Sequence, residues 1–163
     1  MKKSRSIICC ALCLCLAAAL CACSTQNDIA KKSTQIPNPV HGSSAEEFKA
    51  AGINMPEFEG KTPVYSTIDG DKTLYQADYG DFVIRAQETD RQEDISGMNY
   101  DWTEDPIMTL ELLQGDPVVK LDGNGAGIIY WYLGGRSWSA AMTQGADADT
   151  LRSLYFKTAE LNP

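Results

Sequence analysis

The chain has 163 residues, 22 acidic against 14 basic, a formal net charge of −8 and a 44% hydrophobic share. That length suits one domain rather than two. The acidity excludes the Lys/Arg footprint that nucleic acid or a peripheral anionic lipid contact requires.

All six cysteines (Cys9, Cys10, Cys13, Cys15, Cys21 and Cys23) fall in the first 23 residues, and none of the 140 that follow is a cysteine. The segment opens with Lys2, Lys3 and Arg5, and Ile7 to Ala22 is then apolar or small and uncharged. This is the charged start and apolar stretch of a secretory signal peptide. A spanning helix needs roughly 20 apolar residues, and this run is shorter. Leu20-Cys21-Ala22-Cys23 resembles a bacterial lipobox. The resemblance implies cleavage before Cys23 and lipidation of its sulfur, so that residues 1–22 are a lipoprotein signal peptide. A plain signal peptide cut elsewhere and an uncleaved anchor helix are the competing readings. From residue 23 onward the chain carries 11 basic and 22 acidic residues, a net charge of −11. Acyl chains, at about 0.8 kcal/mol per buried CH₂, then provide the membrane attachment.

Residues 23–42 are polar, with Pro37 and Pro39, and read as the lipidated N-terminus and a flexible tether. The domain is expected over 43–163. Ser44-Ala-Glu-Glu47 fits a capping box, so a short helix is predicted from Ser43 or Ser44, stopping at Gly52. Residues 63–68 and 72–79 flank Asp69-Gly70-Asp71, a hairpin turn whose register has two alternatives, around 69–70 or around 70–71. Residues 82–87 make a further strand. Residues 88–106, acidic and turn-rich, read as a long surface loop, and strands follow at 107–113 and 117–121.

IIYWYL (128–133), Gly134-Gly135 and RSWSAAM (136–142) form a two-residue hairpin. Its register pairs Leu133 with Arg136 and Trp131 with Trp138. Alternation then places Ile129, Trp131, Leu133, Trp138, Ala140 and Met142 toward the core, and Tyr130, Tyr132, Ser137 and Ser139 on the opposite face. A last helix starts near Asp147 or Asp149 with Leu151, Leu154, Tyr155 and Thr158 as its buried stripe. The predicted fold class is α+β: an antiparallel sheet of six to seven strands with an N-terminal and a C-terminal helix covering one face.

Three stretches, NPVHGSSAEEFKAAGINMPE (38–57), EDISGMNY (93–100) and YWYLGGRSWSAAM with the helix after it (130–160), together resemble an uncharacterised extracytoplasmic domain of Gram-positive bacterial lipoproteins. The same domain stands at the outer end of some membrane-anchored, anti-sigma-factor-like proteins. The resemblance covers most of residues 38–160. It implies an extracytoplasmic location and a domain extent, and it supplies no catalytic residue.

The chemistry-bearing residues are sparse. The one histidine, His41, sits in the tether beside prolines, and nucleophilic catalysis needs a base next to an activated Ser or Cys. Structural zinc usually takes four Cys/His ligands, which the mature chain lacks; neither a metal nor a cofactor is expected. Asp90, Glu93, Asp94, Asp101, Glu104 and Asp105 offer oxygen ligands for Ca²⁺, but not at EF-hand spacing. Asp122-Gly-Asn-Gly-Ala-Gly127 lacks the Lys-Ser/Thr of a phosphate loop and precedes a strand, so it reads as a turn. Tyr130 and Tyr132, with Trp102, are the candidate ligand- or partner-binding residues, because aromatics combine apolar area with a polar tip. The expected function is therefore a non-catalytic binding module held at the cell membrane by its acyl chains, facing an envelope protein or glycan. The alternative is an envelope hydrolase using paired carboxylates.

Overall fold

A computed structural model describes residues 38–102, the backbone of 108–109, and residues 114–163. Eight strands form one sheet: β1 (Val40–Gly42), β2 (Val64–Ile68), β3 (Leu74–Asp78), β4 (Val83–Glu88), β5 (Met108–Thr109), β6 (Val118–Leu121), β7 (Gly127–Leu133) and β8 (Arg136–Met142). Two helices, α1 (Ala45–Ala50) and α2 (Ala148–Leu161), complete the described elements. The strand order is β1-β2-β3-β4-β8-β7-β6-β5, with every pair antiparallel. The sheet is thus two meanders, β1–β4 and β5–β8, joined where β4 meets β8.

The α+β class holds, with one difference in the expected strands. Among the described residues the sheet has eight strands rather than six or seven, because Val40–Gly42, assigned to the tether, pairs with Ser66–Ile68. The folded body accordingly begins before residue 43. The first helix is only six residues long. Its capping box is complete: the Ser44 hydroxyl accepts from the Glu47 N–H at 3.2 Å, and the Glu47 carboxylate accepts from the Ser44 N–H at 3.0 Å. A helix this short depends on packing, and Phe48 provides it, edge-on to Tyr65 and Tyr75 at 4.9 and 5.2 Å.

The β2–β3 connection matches neither of the two registers considered. Ile68 pairs with Leu74, so the loop spans residues 69–73. The β7–β8 hairpin pairs Leu133 with Arg136, Tyr132 with Ser137 and Trp131 with Trp138. Gly134 and Gly135 both have positive φ, 62° and 76°, as a two-residue turn matched to strand twist requires.

One face of the sheet carries the core. Ile129, Trp131, Leu133, Trp138, Ala140 and Met142 are all buried there, continued by Ile84, Ala86 and Ala77 on the neighbouring strands. Helix α2 lies on β6, β7 and β8 and inserts Leu151, Leu154, Tyr155 and Thr158. Trp131 is enclosed by Trp138, nearly parallel at 6.2 Å, and by Tyr155, edge-on at 5.2 Å. Asp147 caps α2 by accepting from the Thr150 N–H at 2.7 Å and the Thr150 hydroxyl at 2.8 Å. Asn54 and Asn162 exchange backbone–side-chain hydrogen bonds of 2.9 and 2.8 Å, which tie the segment after α1 to the end of α2.

Candidate functional site

The sheet face opposite the core carries the tyrosines. Strand pairing aligns Gln76, Arg85, Ser139, Tyr130 and Val118 in one row across five strands, and Gln87, Ser137 and Tyr132 in the next. The acidic segment read as a surface loop does not project into solvent over residues 89–98. It lies across this face as a strap and is fastened at several places.

The first fastening is Ser137, fully buried. Its hydroxyl meets the Thr89 hydroxyl at 2.8 Å, donates to the Arg91 carbonyl at 3.0 Å and accepts from the Glu93 N–H at 2.9 Å. The second is Arg85. Its Nη1 donates to the carbonyls of Ser96 at 2.6 Å and Ile95 at 3.2 Å, and its Nε donates to Gln76 at 2.9 Å. Burial lowers the pKa of this guanidinium, since desolvation disfavours the charged form. Gly97 (φ 68°) sits so close that a Cβ there would overlap the guanidinium. The third is Lys120, which pairs with Asp94 at 3.5 Å and lies 4.9 Å from the centre of the Tyr130 ring. Asp94 in turn accepts from the N–H and hydroxyl of Ser96, at 3.1 and 2.6 Å.

The predicted site residues are therefore separated or engaged. Tyr132 donates its hydroxyl to the Thr89 carbonyl at 3.2 Å. The Tyr130 carbonyl accepts from Gln92 at 3.2 Å. Both rings are half-buried beside the strap. Trp102 does not join them; its ring neighbour is Tyr100, at 5.7 Å. Cys23 lies outside the described residues, as do Glu104 and Asp105 of the acidic set. Among the described residues no group of three His, Cys, Asp or Glu side chains is placed to hold a metal ion, and no helix is long and apolar enough to cross a membrane. His41, read as a tether residue, is in β1 and pairs with Asp69 of the β2–β3 loop at 3.0 Å.

Two adjoining clefts open at the end of the sheet where the β2–β3 loop approaches the β4–β8 pair. One, of about 390 Å³, is lined by Asn38, Asp71, Lys72, Glu88, Asp90 and Glu93 among others. The other, of about 430 Å³, is lined by Lys72, Thr73, Tyr75, Glu88, Arg136 and Ala51 among others. Asp71, Lys72 and Glu88 border both. Lys72 stands 3.9 Å from Asp90 and Arg136 stands 3.7 Å from Glu88. Arg136 is fixed by a 2.8 Å bond to the Ala51 carbonyl at the end of α1. Glu88 and Asp90 are strongly exposed, with side chains 70% and 101% accessible. The arrangement offers alternating donors and acceptors beside one aromatic ring, Tyr75. The sequence reading names Asp90 and Glu93 only as candidate cation ligands, and it names Lys72, Tyr75, Glu88 and Arg136 as site residues not at all. Glu88 and Arg136 are 48 positions apart and become neighbours only because β8 pairs with β4.

No family model, curated protein or solved structure matches this chain.

Proposed function

We propose that this protein is a lipid-anchored binding module on the extracytoplasmic face of the cell membrane, without catalytic activity of its own. The observation that carries the location is Leu20-Cys21-Ala22-Cys23 at the end of an uncharged apolar run that follows three basic residues. Its resemblance to a lipobox makes Cys23 the acylated N-terminus. The resemblance of most of residues 38–160 to an extracytoplasmic lipoprotein domain supports the same reading.

The binding reading is supported by the character of the surface. The tyrosine face is occupied by the chain's own strap, which makes the paired clefts around Lys72 and Glu88 the better recognition surface. Their lining is polar, mixed in charge and pre-positioned by the Arg136–Ala51 bond. Such a surface suits a hydroxyl-rich or polar partner, an envelope glycan or protein, more than an apolar ligand. A carboxylate hydrolase needs one desolvated acid with a raised pKa beside a second carboxylate. Glu88 and Asp90 are instead solvated and face cations.

Two measurements test the proposal. With a clickable fatty acid in the growth medium, the wild-type chain should take up label and partition into the detergent phase, while Cys23→Ala should remain unlabelled precursor. A labelled, processed Cys23→Ala chain would overturn the anchor assignment. Purified envelope glycan and envelope protein, presented separately, should retain the wild type and lose a Lys72→Glu, Arg136→Ala double variant that still folds. Equal retention of both would move the recognition surface away from the clefts.

A further inference from the structure

We propose that Asn124 is a site of spontaneous deamidation and isomerisation, and that the change loosens the β6–β7 turn from the start of α2. The turn, Asp122–Ala126, was read above only as a glycine-rich connection. Of the six asparagines in the chain, Asn124 alone precedes a glycine. Asn38 and Asn162 precede proline, which has no N–H to react, and Asn54 and Asn162 hold each other in the clasp described above. Asn124 is exposed. Its side-chain amide makes a single long contact, 3.5 Å to the Asp122 carbonyl. No hydrogen bond occupies the Gly125 N–H among the described residues, and Gly125 (φ 99°) has no Cβ to block approach of that nitrogen to the neighbouring side chain.

The reaction needs only water and mild base. Gly125 N loses its proton and attacks Asn124 Cγ. The Cγ–Nδ2 bond breaks, Nδ2 leaves as ammonia after taking up a proton, and a five-membered succinimide remains. Water then adds to one of its two carbonyls. Opening at Cγ gives aspartate. Opening at the backbone carbonyl gives isoaspartate, whose chain runs through Cβ and Cγ. The net change is amide plus water to acid plus ammonia, with no change of oxidation state.

The structure gives the modification a consequence. The Asp122 carboxylate, through one oxygen, accepts from both Asn124 N–H at 2.7 Å and Ala126 N–H at 2.9 Å. The Gly125 carbonyl accepts from Ala146 N–H at 2.8 Å, and Ala146 immediately precedes Asp147, the cap of α2. Isoaspartate adds a methylene to the backbone between these three bonds and sets a second carboxylate beside Asp122. The two N–H groups can then no longer share one oxygen in the same geometry, and like charges repel. The link to Ala146 is the bond that gives way.

The experiment ages the full-length protein in detergent at mildly alkaline and mildly acidic pH and maps peptides by mass spectrometry, with hydrogen exchange on the aged sample. The expected result is an amide-to-acid mass gain confined to the Asn124 peptide and split into aspartate and isoaspartate forms. It should be faster at the higher pH and lost in Asn124→Gln, whose longer side chain would have to close a larger ring. The aged fraction should exchange faster at Ala146 and in the first turn of α2. An Asn124 that stays intact in the folded protein, while the same peptide deamidates in urea, would overturn the site. A modified chain whose exchange at Ala146 is unchanged would overturn the structural consequence.

Discussion

Trp131 shows how much one position contributes to this fold. It is fully buried, stacked beside Trp138 and met edge-on by Tyr155 of α2. Replacing it by alanine removes its ring contact with Tyr155 of α2 and leaves a large cavity. Trp131→Ala should therefore lower unfolding stability by about 3–5 kcal/mol, read as a shifted urea midpoint; a near-neutral result would place the ring outside the core. Its burial was legible from alternation along 128–133 and a Gly-Gly turn, because both signals are local. Asp147 is one of the two aspartates at which the sequence places the start of the last helix, and the structure makes it the N-cap. Hydrogen bonds from the Thr150 backbone and side chain hold its pKa below the ordinary carboxylate range. A depressed folded pKa contributes stability that is present above the unfolded pKa and lost as pH falls through the folded value. Asp147→Ala should thus lower the melting temperature at neutral pH, and the gap from wild type should narrow on acidification. A gap that is constant with pH would mean that the carboxylate's charge is not what stabilises α2.

Helix α1 and the strap differ in how they could be foreseen. Ser44 and Glu47 are three residues apart and form a capping box whatever the rest of the chain does, so Ser44→Ala should destabilise by about 1 kcal/mol, measured by chemical denaturation. The strap gave no such signal. Residues 89–98 are acidic, turn-rich and without apolar period, which read as a solvated loop. They are held down by Arg85, Ser137 and Lys120, from strands β4, β8 and β6, and those partners are set by sheet order. Gly97 is the sensitive point, because its missing Cβ makes room for the Arg85 guanidinium and its φ is 68°. Gly97→Ala should raise hydrogen exchange and protease cleavage within 94–98 while the Trp fluorescence of the core unfolds at a nearly unchanged midpoint. An unaltered exchange pattern would show that the strap does not depend on this contact.

At the scale of the whole molecule, one sheet separates an apolar face covered by α1 and α2 from a polar face crossed by the strap, and the clefts lie at the end where the two meanders join. The faces of β7 and β8, their register, the buried stripe of α2 and the capping box of α1 were readable in the sequence, since each rests on neighbours within a few positions. The added strand β1, the five-residue β2–β3 loop, the closing of the tyrosine face and the meeting of Lys72, Glu88 and Arg136 were not. Each depends on which strands lie side by side, above all the β4–β8 pairing. That choice is made by burial of Ile84, Ala86, Trp138 and Ala140 together, and the sequence alone does not report a contact between residues about fifty positions apart. The sequence by itself determined the local features: the capping box of α1, the β7–β8 hairpin and the apolar side of its strands and of α2. Only the tertiary structure decided which polar groups meet, because packing of the shared core brings distant segments together and their hydrogen bonds follow from that.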